Sequence, residues 1–204
     1  MTQAESAERM GTIRTFIAVE LDEDVKEGLL DLQNRLRDRL SPRSVRWVQP
    51  EGIHLTLKFL GDTPEEKVDN VKTALAQAVD GVTPFTFSVR GLGCFPNLHR
   101  PRVVWVGLQE AGGTLARLQK AVEREVAPLG FPTEKRAFSP HLTLGRVQRY
   151  ASNSEVREVG EVVSSIQLGP VGEMTVEAVS YIKSDLRPSG AVYTTLYEAR
   201  LLEG

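Results

Sequence analysis

His54-Leu-Thr-Leu57 returns unchanged as His141-Leu-Thr-Leu144, and the spacing of the two copies governs how the rest of the chain is read. The offset is 87 positions, from 54 to 141, and two other segments keep it. Phe16-Ile-Ala-Val-Glu-Leu21 falls opposite Val103-Val-Trp-Val-Gly-Leu108, and Phe87-Ser-Val89 opposite Met174-Thr-Val176. Three β-like segments held in one register across half of the chain mark an internal duplication. The intervening helices match poorly by residue, so the duplication is old.

Each half runs through the same order of elements. An apolar strand, Arg14 to Leu21 or Arg102 to Leu108, precedes an amphipathic helix carrying Val25, Leu29, Leu32 and Leu36, or Leu115, Leu118, Val122 and Val126. The motif strand follows, and then a second helix, announced by Thr63-Pro-Glu-Glu66 and by Ser152-Asn-Ser-Glu155 with capping-box spacing. Further strands are expected over 84–92, 173–182 and 191–201. Such alternation would permit a parallel sheet, but no glycine-rich phosphate loop follows any strand. The expected architecture is α+β: two pseudo-symmetric lobes from the duplication, each a mainly antiparallel sheet with outer helices, with an active-site cleft between them.

Composition narrows the classes of function. Residues 1–11 read as a flexible polar tail without the basic start and apolar stretch of a signal peptide, and 12–204 as a single bilobed domain. The lone Cys94 excludes an internal disulfide, and no apolar run approaches the ~20 residues that span a bilayer. A cytoplasmic monomer with no membrane partner is expected. A net charge of −2 speaks against counterion-driven binding along a long nucleic-acid footprint, so any RNA would be gripped over a short stretch.

The chemistry lies in the repeated motif. Alternate side chains of a strand share a face, so His54, Thr56 and Lys58 should point one way while Ile53, Leu55, Leu57 and Phe59 enter the core. His141 and Thr143 should behave alike opposite Leu142 and Leu144. A core has no use for His and Thr twice on the face away from its leucines. Two imidazoles aimed into one cleft supply a base for an attacking water and an acid for a departing oxygen. Threonine hydroxyls can donate to phosphate oxygens, and Lys58 and Arg146 are the candidate cations for the developing charge. Alternation would turn Arg146 away from His141 unless Gly145 forms a bulge that re-aims it. Three scattered histidines and one cysteine show no metal-ligand spacing, so neither metal nor cofactor is expected. His99 falls in a loop without a counterpart in the repeat. Arg43, Arg46, Lys135, Arg136 and Arg149 lie near the motif strands in sequence and could line a phosphate path.

His54-Leu-Thr-Leu-Lys-Phe-Leu-Gly61 and Ser139-Pro-His-Leu-Thr-Leu-Gly-Arg146 resemble the paired H-x-T-x motifs of the two-histidine phosphoesterases. Within them, the chain is most similar to the bacterial and archaeal RNA 2′,3′-cyclic phosphodiesterases, also called the 2′-5′ RNA ligase family. The similarity starts at Arg14-Thr-Phe-Ile-Ala-Val-Glu20. It runs through Gly93-Cys-Phe-Pro-Asn97 and Pro101-Arg-Val-Val-Trp-Val-Gly107 to the ending from Ser184 to Tyr193. The resemblance implies a bilobed fold and metal-independent hydrolysis of a terminal RNA 2′,3′-cyclic phosphate to a 2′-phosphomonoester. It implies His54 as proton donor to O3′, His141 as proton acceptor from water, and Thr56, Thr143 and Arg146 as phosphate binders. The residues themselves leave acid and base interchangeable. Phe95 and Phe138 are candidates to stack on a terminal base. Reversible 2′-5′ RNA joining, hydrolysis of a small cyclic nucleotide and a non-catalytic RNA-end-binding module are the competing readings of the same cleft.

Overall fold

A computed structural model describes residues 11–187 and 190–202, so the tail expected over 1–11 lies outside the described residues except for Gly11. The first half contributes Thr12–Glu20 (β1), Glu23–Arg37 (α1), Val45–Trp47 (β2), His54–Pro64 (β3), Val68–Val79 (α2) and Phe85–Phe95 (β4). The second contributes Val103–Gln109 (β5), Thr114–Val126 (α3), His141–Val147 (β6), Asn153–Ser165 (α4), Gly172–Val176 (β7), Ala178–Arg187 (β8) and Gly190–Arg200 (β9). All pairings between neighbouring strands are antiparallel. One sheet has the order β3-β1-β8-β9 and the other β2-β6-β5-β4-β7.

The two sheets are not the two halves of the chain. β4 of the first half pairs with β5, and β8 of the second half pairs with β1. The exchange obeys the repeat: Phe95 opposes Val103 in one sheet, and 87 positions on Ile182 opposes Phe16 in the other. Helices cross over too, since α1 packs on β7 of the second sheet and α3 on β3 of the first. One hydrophobic cluster runs from Ile17 and Val19 through the helices to Leu142, Leu144 and Tyr181, so the lobes share a core.

Local sequence explains the elements. Phe16-Ile-Ala-Val19 of β1 is buried on both faces, which is why it reads as an unbroken apolar run: β1 is a central strand with helices on one side and cleft side chains on the other. Asp22 caps α1 by accepting from the Val25 amide at 2.9 Å, an arrangement that contributes about 1 kcal/mol. Ser152 and Glu155 form the reciprocal capping box at the start of α4. The corresponding box at Thr63 does not form. Thr63 stays inside β3, buried, with its hydroxyl 2.7 Å from that of Thr15, and α2 begins only at Val68 after a short 3-10 turn over Glu65–Lys67. The strand expected over 173–182 is broken at Glu177 into β7 and β8, one in each sheet.

Candidate active site

β3 and β6, one from each sheet, lie against each other where the lobes meet. The motif leucines Leu55, Leu57, Leu142 and Leu144 are buried at 3% exposure or less, while His54, Thr56, His141 and Thr143 are half-buried on the opposite face. Neither threonine hydroxyl has a hydrogen-bond partner among the described residues, so both are free to donate to a ligand.

Both motif strands carry a β-bulge at the same place. Ile17 opposes Lys58 but Ala18 opposes Thr56, which leaves Leu57 as the extra residue, and 87 positions later Leu144 is extra between Thr143 and Gly145. A bulge reverses the alternation beyond it. The sequence-based placement of Lys58 in the cleft and Phe59 in the core is therefore corrected. Lys58 turns inward at 7% exposure, pairing with Glu123 at 2.7 Å and donating to the Pro132 carbonyl at 2.6 Å, while Phe59 turns out at 65% exposure. The same reversal puts Arg146 on the exposed side of β6, the side of His141 and Thr143. Gly145 is buried there because a Cβ would sit 2.6 Å from Val45 Cγ1.

A buried glutamine holds each bulge. The Gln33 amide of α1 donates to the Leu144 carbonyl at 2.9 Å and to Val48 at 2.8 Å, and Gln119 of α3 donates to the Leu57 carbonyl at 3.5 Å. The Leu144 carbonyl also accepts from the Val48 amide at 2.9 Å, so Gln33 is a second donor there, while Gln119 gives the Leu57 carbonyl a side-chain donor. Substituting Gln33 by Leu takes the side-chain donor from the half-buried Val48 carbonyl and one of two donors from the Leu144 carbonyl, and should cost about 1–3 kcal/mol. Urea unfolding measures this, and a loss below about 0.5 kcal/mol would mean that water replaces the amide.

The two imidazoles sit in different surroundings. His141 donates from Nδ1 to the Ser139 carbonyl at 2.7 Å, which leaves Nε2 of the neutral ring as an acceptor. Its ring stands perpendicular to that of Phe95 at 4.9 Å between centroids, and Phe95 in turn lies 5.1 Å from Trp105, the cross-strand partner of Thr143. His54 is stacked on Phe16 at 4.5 Å and flanked edge-on by Tyr193 at 5.2 Å. Burial pulls His54 down to about 4, against the opposing pull of the Gly52 backbone and of Glu20, its cross-strand partner. Burial raises the Tyr193 hydroxyl, with Arg146 and Arg14 acting the other way. Arg146 of the second sheet thus acts electrostatically on Tyr193, the residue that flanks His54 of the first.

The His54 shift has a consequence for stability. Between its ordinary value of 6.5 and about 4, the unfolded chain binds a proton that the folded chain refuses, so stability present at neutral pH is lost as pH falls through that window. A His54→Asn variant should lose about 2 kcal/mol less than the native chain between pH 7 and pH 4. Urea-unfolding profiles that run parallel for the two chains would show instead that His54 is solvated in the native state.

Among the described residues the Phe138 ring makes no ring contact with either histidine. Its ring packs partly against the core and lines a surface cavity along α3 with Gln119, Lys120 and Arg124. Sequence reasoning missed Phe16, Glu20, Trp105 and Tyr193, and gave Arg46 no particular place. Arg46 is exposed on β2 directly across from Arg146, and paired residues of neighbouring strands share a face. The Phe16, Glu20 and Trp105 signal lay in the paired strands of the repeat, opposite the motif residues.

Two matched strands that present an imidazole and a free hydroxyl each, with arginine at their junction, define a bilobed site suited to a phosphoester. Comparison with known proteins gives that class its family: a model of the LigT-like phosphoesterases matches twice, over residues 19–105 and 106–193, and the chain belongs to that family. It is accordingly a phosphoesterase. It is 38% identical to the RNA 2′,3′-cyclic phosphodiesterase of Methanothermobacter thermautotrophicus over 93% of this chain and 99% of that one. Identity to the protein of the same name from Thermotoga maritima is 33%, over 94% and 97%. A crystal structure from Thermus thermophilus superposes with a TM-score of 0.75 at 31% identity, covering 93% of this chain and 98% of that one.

Proposed function

We propose that the chain hydrolyses a terminal 2′,3′-cyclic phosphate on RNA to a 2′-phosphomonoester, with His141 as general base and His54 as general acid. The observation that carries this is the pairing of His-x-Thr faces across one cleft, supported by the names of relatives that match over nearly the full chain. Nε2 of His141 takes a proton from water as the water oxygen bonds to phosphorus. The P–O3′ bond breaks, and O3′ leaves with a proton from His54. Thr56, Thr143 and Arg146 donate to the non-bridging oxygens as charge builds there. His54 is mostly neutral in the free protein at pH 7, so an acid role requires that it take up a proton as the phosphate anion arrives. Glu20 favours that uptake. Residues 12–204 work as one catalytic unit, because each sheet is completed by strands of the other half.

No helix among the described residues is long and apolar enough to cross a membrane. The test of the function is turnover of a short RNA ending in a 2′,3′-cyclic phosphate after EDTA treatment, with the product's phosphate position identified. Full activity and a 2′-phosphate product are expected. Activity that EDTA abolishes and zinc or magnesium restores would overturn the metal-free mechanism, and a 3′-phosphate product would overturn the direction of opening.

A further inference from the structure

The two motif strands differ in what borders them. β6 is zipped to β2, with Val45 opposite Val147, Arg46 opposite Arg146 and Trp47 opposite Gly145. Counted by the repeat of 87 positions, residues 132–134 correspond to β2, and Lys58 corresponds to Gly145. Beside β3, however, no ladder forms. Residues 131–140, which lead into His141, make no backbone-to-backbone hydrogen bond among the described residues. Side chains hold them instead. Lys58 Nζ donates to the Pro132 carbonyl at 2.6 Å and to Glu123 Oε2 at 2.7 Å, and the same carboxylate oxygen accepts from the Glu134 amide at 3.1 Å. Glu123 Oε1 accepts at 3.2 Å from Gln119, whose amide also reaches the Leu57 carbonyl of the bulge. Both ions are buried. Apolar side chains of similar volume often stabilise a fold as well as a buried ion pair does, so stability alone gives little reason for this one. Its effect is geometric. It fixes the start of the segment that brings in Ser139, whose carbonyl accepts from His141 Nδ1 at 2.7 Å and so makes Nε2 the acceptor of the neutral ring.

Building on the proposed function, we propose that Lys58 and Glu123 are positioning residues for His141: they anchor the 131–140 segment against β3, so that the Ser139 carbonyl is held where it selects the Nδ1–H tautomer and the orientation of the ring. The first motif strand thus supports, from two residues beyond Thr56, the base carried by the second. Both residues act through Ser139, and the ion pair takes the place that the β2 ladder holds in the other sheet.

The experiment uses the full chain carrying Lys58→Met/Glu123→Leu, which replaces the pair by apolar side chains of similar size, or Glu123→Gln, which keeps shape and an acceptor but removes the charge. Urea unfolding establishes that each variant is folded. Ring-nitrogen NMR of the free protein reads the His141 tautomer, its signals assigned by their loss in His141→Ala, and turnover of a cyclic-phosphate RNA end reads kcat and KM. The native ring should be protonated at Nδ1. The double variant should show mixed tautomers and a kcat lower by about ten-fold or more with KM little changed, because a small misplacement of a catalytic group is that costly. Glu123→Gln should fall between the two. A native ring not protonated at Nδ1 overturns the proposal. So does a folded double variant that keeps either the native tautomer or the native kcat, since a pair serving only the fold would leave both unchanged. If the double variant does not fold, Glu123→Gln decides by the same two readings. Should the native chain turn over no cyclic-phosphate RNA end, the catalytic reading fails by itself. The tautomer alone then decides: a changed tautomer in the variant supports the positioning role, and an unchanged one overturns it.

Discussion

Replacing either His54 or His141 with alanine should lower the turnover of a cyclic-phosphate RNA end by about 10²- to 10⁴-fold, the usual contribution of a positioned acid or base. Each strand of the motif supplies one partner, and neither has a substitute nearby, since His99 sits in an exposed loop outside the cleft. The loss should fall on kcat, with KM little changed, because the proposed phosphate donors Thr56, Thr143 and Arg146 remain in place. The variants should also fail to add: a His54→Ala/His141→Ala chain should turn over nearly as fast as the slower single variant, since proton removal and donation serve one transition state. The pH profiles separate the roles. Loss of His141 should remove the limb of the native profile that requires a deprotonated base, and loss of His54 the limb that requires a protonated acid. Near-native turnover by either single variant would reduce the pair to one working imidazole.

The distinction between the imidazoles could not be read from the motifs, which are identical over four residues. It arises from what sits beneath and across from them. At the repeat-equivalent positions opposite the histidines, Glu20 faces His54 and Gly107 faces His141. Phe16 and Tyr193 dehydrate His54, whereas His141 makes one perpendicular ring contact, with Phe95. Tyr193 comes from β9, the last strand of the described chain, so no local pattern around His54 could announce it.

The repeat made the antiparallel, two-lobed plan legible, because three segments in register and a period of two leave few alternatives. What the repeat concealed is that the lobes exchange strands and helices. A duplicated unit read along the chain looks self-contained, yet the pairing of Phe16 with Ile182 and of Val103 with Phe95 is decided by which apolar faces meet in space. The bulges were hidden for a related reason. Strict alternation put Lys58 beside Thr56 and Phe59 in the core, and one extra residue at Leu57 inverted both. Only Gly145 hinted at such a break, since glycine inside a strand marks close backbone approach, and there it admits Val45 and Trp47 of β2. The buried Gln33 and Gln119 would read as polar interruptions of amphipathic helices until the carbonyls they serve are seen.

That bulge makes Arg146 the second decisive position. Arg146→Ala should reduce kcat/KM by about 10²- to 10³-fold, as expected when a donor to developing phosphate charge is removed. The expectation rests on placement: beyond Leu144 the strand turns Arg146 to the side of His141 and Thr143, and its charge reaches Tyr193 on the other lobe. A fixed guanidinium there can address two phosphate oxygens at once, so Arg146→Lys should recover only part of the loss. Arg46, across from Arg146 on the outer strand β2, supplies a second positive charge on the same face. Arg46→Ala should therefore weaken substrate capture at low salt more than it slows the chemical step. Added guanidinium should partly rescue Arg146→Ala, because the space it vacates opens to solvent. If Arg146→Ala instead retains native kcat/KM while Arg46→Ala does not, the phosphate lies against β2, and the re-aiming of Arg146 by the bulge serves the fold rather than the reaction.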